Sequence, residues 1–374
     1  MRTLGARVDA DTLARVRTAV GSLVEPSLRH RLDELGMVGD VSAVRGGVRV
    51  VVHLPSTALP GQDRLRDAVR AAARVDGVGS VDVEVEPMSD SGRMDVARTL
   101  KAAPGLNTLG SRTRVYAVAS GKGGVGKSVV TANLAAALAA AGQRVGVIDA
   151  DVWGYSVPQL FGVREAPVAL KGVMLPVRAH DVSLMSVGFF VDDAQPVVWR
   201  GPMLHKALEQ FVGDVYWGEL DVLLLDLPPG TGDVPMSLIE LLPDVQLLLV
   251  TTPQAAVAAV AGRVAAMATD SRVPVAGVVE NMSSISCDGC GAETPLFDGD
   301  AGASLAGSLG VPLLGRVPVD RELTRCADAG VPAVLEQPGS PAAVELSRVA
   351  ATLPSHEPTL AGRSLPLFVS SESS

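Results

Sequence analysis

Ser120-Gly121-Lys122-Gly123-Gly124-Val125-Gly126-Lys127-Ser128 decides how the rest of the chain is read. Gly121 and Gly126 bracket four residues and are followed by Lys-Ser, the spacing of a phosphate-binding loop. Upstream, Arg114 to Ala119 alternates and is β-rich, which predicts a strand. Downstream, Val129 to Ala141 is rich in Ala and Leu and stops at Gly142, which predicts a helix. Strand, glycine loop and helix is the context in which such a loop works. Its glycines let the backbone curl round a phosphate chain with N–H groups turned inward. The start of the helix adds unpaired N–H groups and the positive end of its dipole. In this reading Gly121, Lys122, Gly123, Gly124, Val125 and Gly126 wrap the phosphates, Lys127 reaches the outer ones, and the Ser128 hydroxyl ligates Mg²⁺. The pattern implies nucleotide binding.

The totals set bounds around that loop. A chain of 374 residues predicts two or three domains at about 100–200 residues each. Hydrophobic residues make up 47%, ample for a buried core. A net charge of -9 argues against general affinity for nucleic acid or anionic membrane. Three cysteines cannot form a disulfide framework and suit a reducing compartment. The N-terminal residues carry Asp and Arg where a signal peptide needs an apolar run. Leu134–Ala141 and Ala255–Ala268 are too short or too interrupted to span a bilayer, Arg263 breaking the second. The expectation is a soluble, cytoplasmic protein with no nucleic-acid and no membrane partner.

Along the chain, residues 1–90 predict a small α+β domain. Asp11 to Leu35 is helical in pattern with a break near Pro26, 47–54 alternates as a strand, Arg64 to Val75 is an amphipathic helix, and Gly79 to Val85 is a second strand. The polar stretch after Pro87 predicts a linker over 91–111. From 112 to 352, apolar β-branched runs at 114–119, 144–149, 182–187, 221–226, 245–251, 274–280 and 313–317 alternate with helical spans. That predicts an α/β domain with a mostly parallel sheet covered by helices on both faces. Residues 353–374 form a polar tail expected to be disordered.

Ligands of such sheets sit at the carboxyl ends of the strands, and two of those ends are acidic. Val145-Gly-Val-Ile-Asp149-Ala-Asp151 delivers two carboxylates, and Val222-Leu-Leu-Leu-Asp226 delivers one. A buried aspartate in an apolar strand is too costly without a partner. Asp149 has two readings, as part of a Mg²⁺ shell or as the cap of its turn. Further on, Cys287-Asp-Gly-Cys290-Gly has the form of a metal knuckle that aims both sulfurs at one point. A redox dithiol and half of a zinc site are its other readings. Thiolate metal centres generally take four ligands, and the chain offers two plus the distant Cys326. Cys326 stands at helical spacing with Leu323 and reads as a small buried residue. A two-fold dimer giving two thiolates per protomer is the simplest completion.

With Lys122 present, GKGGVGKS resembles the deviant Walker A subgroup of P-loop proteins. Asp151-Val-Trp-Gly-Tyr-Ser-Val-Pro158 is similar to its switch I phrase, and Trp199-Arg-Gly-Pro-Met203 with Trp217-Gly-Glu-Leu-Asp221 to the stretch before Walker B. DLPPGTGD at 226–233, ENMS at 280–283 and the CxxCG knuckle follow in order. Together they make residues 112–345 resemble Mrp/ApbC-type iron–sulfur cluster carriers. The resemblance implies a homodimeric, slowly hydrolysing ATPase that holds a labile [4Fe-4S] cluster between two Cys287/Cys290 pairs and hands it to apo iron–sulfur proteins. Lys122 would cross the dimer interface to the partner's nucleotide, a solvated loop lysine being its other reading. Asp151 would orient or deprotonate the attacking water, so Lys122, Lys127 and Asp151 are the catalytic candidates. Asp226 would hold Mg²⁺ through water, and residues 227–233 would sense the γ-phosphate. Asn281 would contact adenine, unless it only forms a turn. Val129 departs from the family, many of whose members carry a second hydroxyl there.

Residues 10–88 resemble the small iron–sulfur assembly domain that often precedes such carriers. The match rests on Glu25-Pro26 before Leu28, on Leu35-Gly36-Met37-Val38 and on Leu59-Pro60. Ser27 and Leu59 stand where that family usually has Glu and often Cys. A docking module and a purely structural role are both open for it. Two rival functions use the same loop: a positioning or partitioning ATPase, and an electron-donating reductase with a bridging cluster.

Overall fold

The structure, a computed structural model, describes residues 8–56, 59, 61–102, 113–152, 154–190, 201–230, 241–242, 244–286 and 292–354. The chain divides into two units, Met1–Ala103 with Val168–Leu175, and Pro104–Pro167 with Pro176–Ser374.

In unit 1, α1 (Ala10–Gly21) is capped by the Asp9 carboxylate, which accepts from the Thr12 N–H at 2.8 Å. The strands β1 (Val38–Val44) and β2 (Gly47–Leu54) pair antiparallel across a tight turn. After α2 (Gln62–Ala72), β3 (Ser80–Pro87) returns parallel to β2, closing a three-stranded sheet of order β1-β2-β3. Leu65 and Val69, four apart on α2, are buried with Val48, Val50 and Val52 of β2 as the core. Leu59 is also buried, at 4% exposure, so an apolar core side chain occupies the place of the cysteine frequent in similar domains.

Two expectations for this region need correction. The helical pattern ends at Gly21 rather than continuing to Leu35, because Pro26 and a left-handed Arg29 (φ 54°) break it. Val24 and Arg31 instead form a β-bridge around a turn that Glu25 caps by accepting from the Leu28 N–H at 2.6 Å. The stretch read as a linker over 91–111 is helical to Ala102: α3 spans Asp90–Ala102 and belongs to unit 1. Its many polar residues are on the solvent side, where Arg93–Asp90 and Arg98–Asp95 pair at i,i+3, while Val96, Ala97 and Leu100 are buried. The chain returns to unit 1 for a short hairpin, β6 (Val168–Leu170) and β7 (Val173–Leu175).

In unit 2 the sequence runs β4 (Arg114–Ser120), α4 (Lys127–Ala140), β5 (Val145–Asp149) and α5 (Val157–Leu160), then β8 (Val177–Ala179), β9 (Val182–Ser186), α6 (Gly201–Gly213) and β10 (Val222–Asp226). Next come β11 (Val245–Thr251), α7 (Ala255–Asp270), β12 (Val275–Ser286), β13 (Glu293–Pro295), α8 (Ala301–Leu309) and β14 (Leu313–Val319). The helices α9 (Arg321–Ala329), α10 (Ala333–Glu336) and α11 (Pro341–Thr352) close it. The described strands form a nine-stranded sheet of order β13-β12-β11-β4-β10-β5-β9-β8, with β14 beside β12. All pairings are parallel except β12–β13 and β8–β9. Every residue of β5, β9, β10 and β11 is buried, as a sheet covered on both faces requires. The α/β fold expected from the sequence is therefore the fold observed, and β10 lies at its centre between β4 and β5.

That placement makes β10 sensitive to lost volume. Leu224, 0% exposed, should cost about 2–5 kcal/mol of unfolding free energy as Leu224→Ala. A denaturant melt checks this, and an unchanged midpoint would mean that β10 is not the core strand.

Candidate functional site

The glycine loop leaves β4 at Ser120 and enters α4 at Lys127. Gly124 and Gly126 hold φ of 80° and 82°, the left-handed region where a Cβ is penalised. Gly126 has a second reason to be glycine, since a Cβ there would collide with Nδ2 of Asn281. That amide donates to the Val125 carbonyl at 2.9 Å, so the end of β12 is tied to the loop. At the other end, a Cβ on Gly121 would run into the backbone of Val260 and Ala261 in α7. Lys122, Gly123 and Gly124 are exposed, and the Lys122 carbonyl accepts from the Ser120 hydroxyl at 3.0 Å.

Parallel register brings the acidic strand ends together. Asp226 of β10 is level with Asp149 of β5, and Asp149 with Ser186 of β9. Asp226 is fully buried and takes three partners from the first turns of α4. Lys127 Nζ lies 2.7 Å from Oδ1, the Ser128 hydroxyl donates to Oδ2 at 2.5 Å, and the Thr131 hydroxyl lies 2.9 Å from Oδ1. The Lys127 ammonium is 3.9 Å from Asp151 Oδ2. Asp151 is itself buried and accepts from the Gly154 N–H at 3.1 Å. Among the described residues Asp149 has no ion-pair partner within 4 Å. It accepts from the Ser186 hydroxyl at 3.0 Å and from the N–H groups of Asp151 and Val157 at 3.2 and 3.3 Å. Complete burial, then the neighbouring Asp226 charge, push its pKa up to about 7. Past β10, the Gly230 N–H donates to the Ser120 carbonyl at 2.9 Å, laying Leu227–Gly230 alongside the loop.

The loop, Lys127, Ser128, Asp149, Asp151, Asp226 and Asn281 thus gather at one edge of the sheet. A cleft of about 480 Å³ opens beside Gly126, Val129 and Asn281. Thr131 and Ser186 belong to the same network and were not singled out in the sequence. Thr131 follows Lys127 by one helical turn, and Ser186 ends a strand just as Asp149 does; those positions were the available signals. Cys287 and Cys290 lie outside the described residues, as do Trp153, the 231–240 segment and the 355–374 tail. The flanks of the knuckle are described: Ser286 of β12 pairs with Glu293 of β13. Cys326 is fully buried in the core of unit 2, which also raises its thiol pKa. Among the described residues no group of three or more His, Cys, Asp and Glu side chains is placed to hold a metal, and no helix is long and apolar enough to cross a membrane.

A glycine loop between strand and helix, with a buried aspartate at the end of the neighbouring parallel strand, defines a P-loop NTPase. Comparison with known proteins narrows the class. The family described as "ParA: NUBPL iron-transfer P-loop NTPase" matches residues 111–354. The iron–sulfur cluster carrier protein of Mycobacterium tuberculosis is 44% identical over 372 residues, covering 96% of this chain and 97% of that one. Its counterpart in Deinococcus radiodurans is 42% identical over 339 residues, 90% and 93% of the two chains. A nucleotide-binding protein of Archaeoglobus fulgidus, solved in complex with ADP, is 37% identical with a TM-score of 0.52, over 58% of this chain and 86% of its own. The chain belongs to the iron-transfer P-loop NTPases, in the iron–sulfur cluster carrier protein family.

The raised Asp149 pKa has a signed consequence in the protein free of nucleotide and divalent metal. Because the folded state holds this proton more tightly than the unfolded chain, Asp149 favours folding at low pH, and that contribution is lost as pH rises from about 4 through about 7. Asp149→Asn should therefore gain stability relative to the parent over that window. Paired thermal melts at pH 5 and pH 8 check it, and a constant difference would contradict it.

Proposed function

We propose that this chain is a slow, Mg²⁺-dependent ATPase whose homodimer carries a labile [4Fe-4S] cluster as cargo between two Cys287/Cys290 pairs and delivers it to apo iron–sulfur proteins in the cytoplasm. The observation that carries the nucleotide half is the contact of buried Lys127 and half-buried Ser128 with fully buried Asp226, with Asp149 and Asp151 beside it at the carboxyl edge. The membership of the chain in the carrier family supports the cluster half.

The residues fit the roles in chemical terms. Gly123 to Gly126 supply backbone N–H groups with no Cβ where glycine stands, and Lys127 offers an ammonium that now rests on Asp226 and can exchange to a phosphate oxygen. Ser128 Oγ and Asp226 Oδ2, 2.5 Å apart, are the hard oxygen donors that Mg²⁺ takes. When bound, Mg²⁺ would neutralise charge developing on the phosphates. Ser128 would ligate it and Asp226 would hold it through water, and Asp149, hydrogen-bonded to Ser186 and two N–H groups, stands level with Asp226 as an outer neighbour. Asp151 orients or deprotonates the attacking water, its Oδ2 lying 3.9 Å from the Lys127 ammonium. Lys122, exposed on the loop, contacts the partner's nucleotide across the dimer. Asn281 reads adenine from the cleft wall. Phosphoryl transfer needs positioning and charge neutralisation rather than covalent chemistry, and these groups provide both.

Lys127→Ala should lower ATP hydrolysis by about 10²-fold or more, as loss of an electrostatic group at the transferred phosphate does, while the isolated protein still takes up cluster. Cys287→Ala or Cys290→Ala should do the reverse: anaerobic reconstitution gives no brown colour and no bound iron, while ATP still binds. Iron retained by the double cysteine variant would refute the ligand assignment. A single-subunit mass at full activity with ATP and iron supplied would refute the dimer.

A further inference from the structure

A second cleft, of about 440 Å³, lies wholly in unit 1, between the ends of β2 and β3, the first turns of α3 and the β6–β7 hairpin. Leu54, Pro87 and Leu170 give it an apolar wall, and Arg93 and Lys171 give it two cations. Both cations lean on a single carboxylate. Arg93 Nη2 donates to Asp90 Oδ1 at 2.7 Å, and Lys171 Nζ lies 2.9 Å from the same oxygen. Lys171 first and Arg93 second hold the Asp90 pKa below the ordinary carboxylate value. The balance at the cleft is one positive charge in excess, and Lys101 adds to it from α3, where a Cβ on Gly172 would lie 3.3 Å from its Nζ.

Two further observations mark the cations as more than surface charge. Arg93 Nε, on the same guanidinium edge as Nη2, is buried and has no hydrogen-bond partner among the described residues. That edge is shaped to hold two carboxylate oxygens side by side, and Asp90 fills half of it. Leaving a buried donor unpaired is unfavourable. Lys171 occupies the first centre of a two-residue hairpin turn with φ 47°, followed by Gly172 with φ 81°. Such turns favour Asn, Asp or Gly at that position, so lysine is held there against the local preference, with its ammonium beside Arg93.

We propose that this cleft is a binding site for a carboxylate bearing a short apolar chain, its oxygens on Arg93 and Lys171 and its chain against Leu54, Pro87 and Leu170. Asp90 is then the internal competitor that holds the two cations together until the ligand carboxylate arrives. The volume lies within the range of about 300–1,000 Å³ usual for small-ligand sites. A free aliphatic acid and the C-terminal residue of a peptide share this chemistry.

Calorimetric titration of the full chain with 4-methylpentanoate tests the site, with 4-methylpentanamide and inorganic phosphate as controls. The acid should bind about tenfold or more tightly than either control, the scale of one charge-assisted hydrogen bond. Arg93→Gln and Lys171→Gln should each weaken binding by about tenfold, whereas Asp90→Asn should strengthen it by removing the competitor. General damage to unit 1 would weaken all three alike, so the opposite sign of Asp90→Asn separates a ligand site from a structural cluster. A second arm compares a leucine-ended pentapeptide having a free carboxylate with the free acid. Tighter binding of the peptide assigns the site to a protein terminus, and tighter binding of the acid assigns it to a small molecule. No binding of either, equal binding of acid and amide, phosphate binding as tightly as the acid, or an Asp90→Asn that does not strengthen binding would each overturn the proposal.

Discussion

The ion pair between Lys127 and Asp226 is the interaction on which the rest of unit 2 depends. A carboxylate at 0% exposure, ending a strand of Val and Leu, is prohibitive in isolation and acceptable only with a cation and hydrogen bonds in contact. The sheet order supplies them. Because β4 lies directly beside β10, the loop that follows β4 starts α4 over the end of β10, and Lys127, Ser128 and Thr131 fall within its first turns. The glycines are needed for the same reason: only a left-handed Gly126 lets the chain turn into α4 with Asn281 packed against it. Buried ion pairs contribute little net stability. In the proposed function this one is a charge held in readiness, since Lys127 and Asp226 are the groups assigned there to phosphate and to the divalent cation.

The second consequence of the register is a division of labour between two carboxylates. Asp226 and Asp149 are level on adjacent strands, so two negative charges would face each other in a dry interior. Of these two carboxylates, it is Asp226 that Lys127 contacts, at 2.7 Å. Asp149 is left with neutral donors, Ser186 and the amides of Asp151 and Val157, and its proton is held to about pH 7. Ser186 is oriented in turn, since the Gly188 N–H donates to its hydroxyl oxygen at 3.0 Å. A site built this way keeps its net charge low without phosphate or metal and can change it when either arrives, a property that fits the proposed ATPase better than a static structural cluster.

Much of this was legible in the sequence wherever one residue type had one physical use. Glycines at 121, 123, 124 and 126 before Lys-Ser, and aspartates ending apolar runs at 149 and 226, named the edge of the sheet where they are found. The parallel strands were readable because burial on both faces leaves continuous apolar runs. The network around those residues was harder to read. Ser186 and Thr131 are ordinary hydroxyls until register and helix phase bring them to Asp149 and Asp226. Helix α3 was mistaken for a linker because its buried stripe is only Val96, Ala97 and Leu100, and the i,i+3 ion pairs that support it look, in sequence, like scattered charge. The β6–β7 hairpin could not be assigned to unit 1 by reading along the chain, since nothing local says which unit a return segment will join.

One strand joins the two halves of the proposed activity. β12 carries Glu280, buried and held by the Gly302 N–H at 2.8 Å and by Arg316 Nε at 3.1 Å, then Asn281, tied to the glycine loop through the Val125 carbonyl. Met282 follows in the left-handed region at φ 57°, and the pairing with β14 shifts register between Asn281 and Ile285. A non-glycine residue in that conformation costs roughly 1–3 kcal/mol and persists only where its neighbours hold it. Here they do, with Asn281 fixed on one side and Ser284 to Ser286 paired to β13 on the other. Cys287 is the next residue in the chain. The backbone from the glycine loop to Ser286, the last described residue before Cys287, is therefore one short strand anchored at Asn281 and at β13 and bent at Met282, so in the proposed function it is the direct covalent path between the nucleotide half and the cluster half.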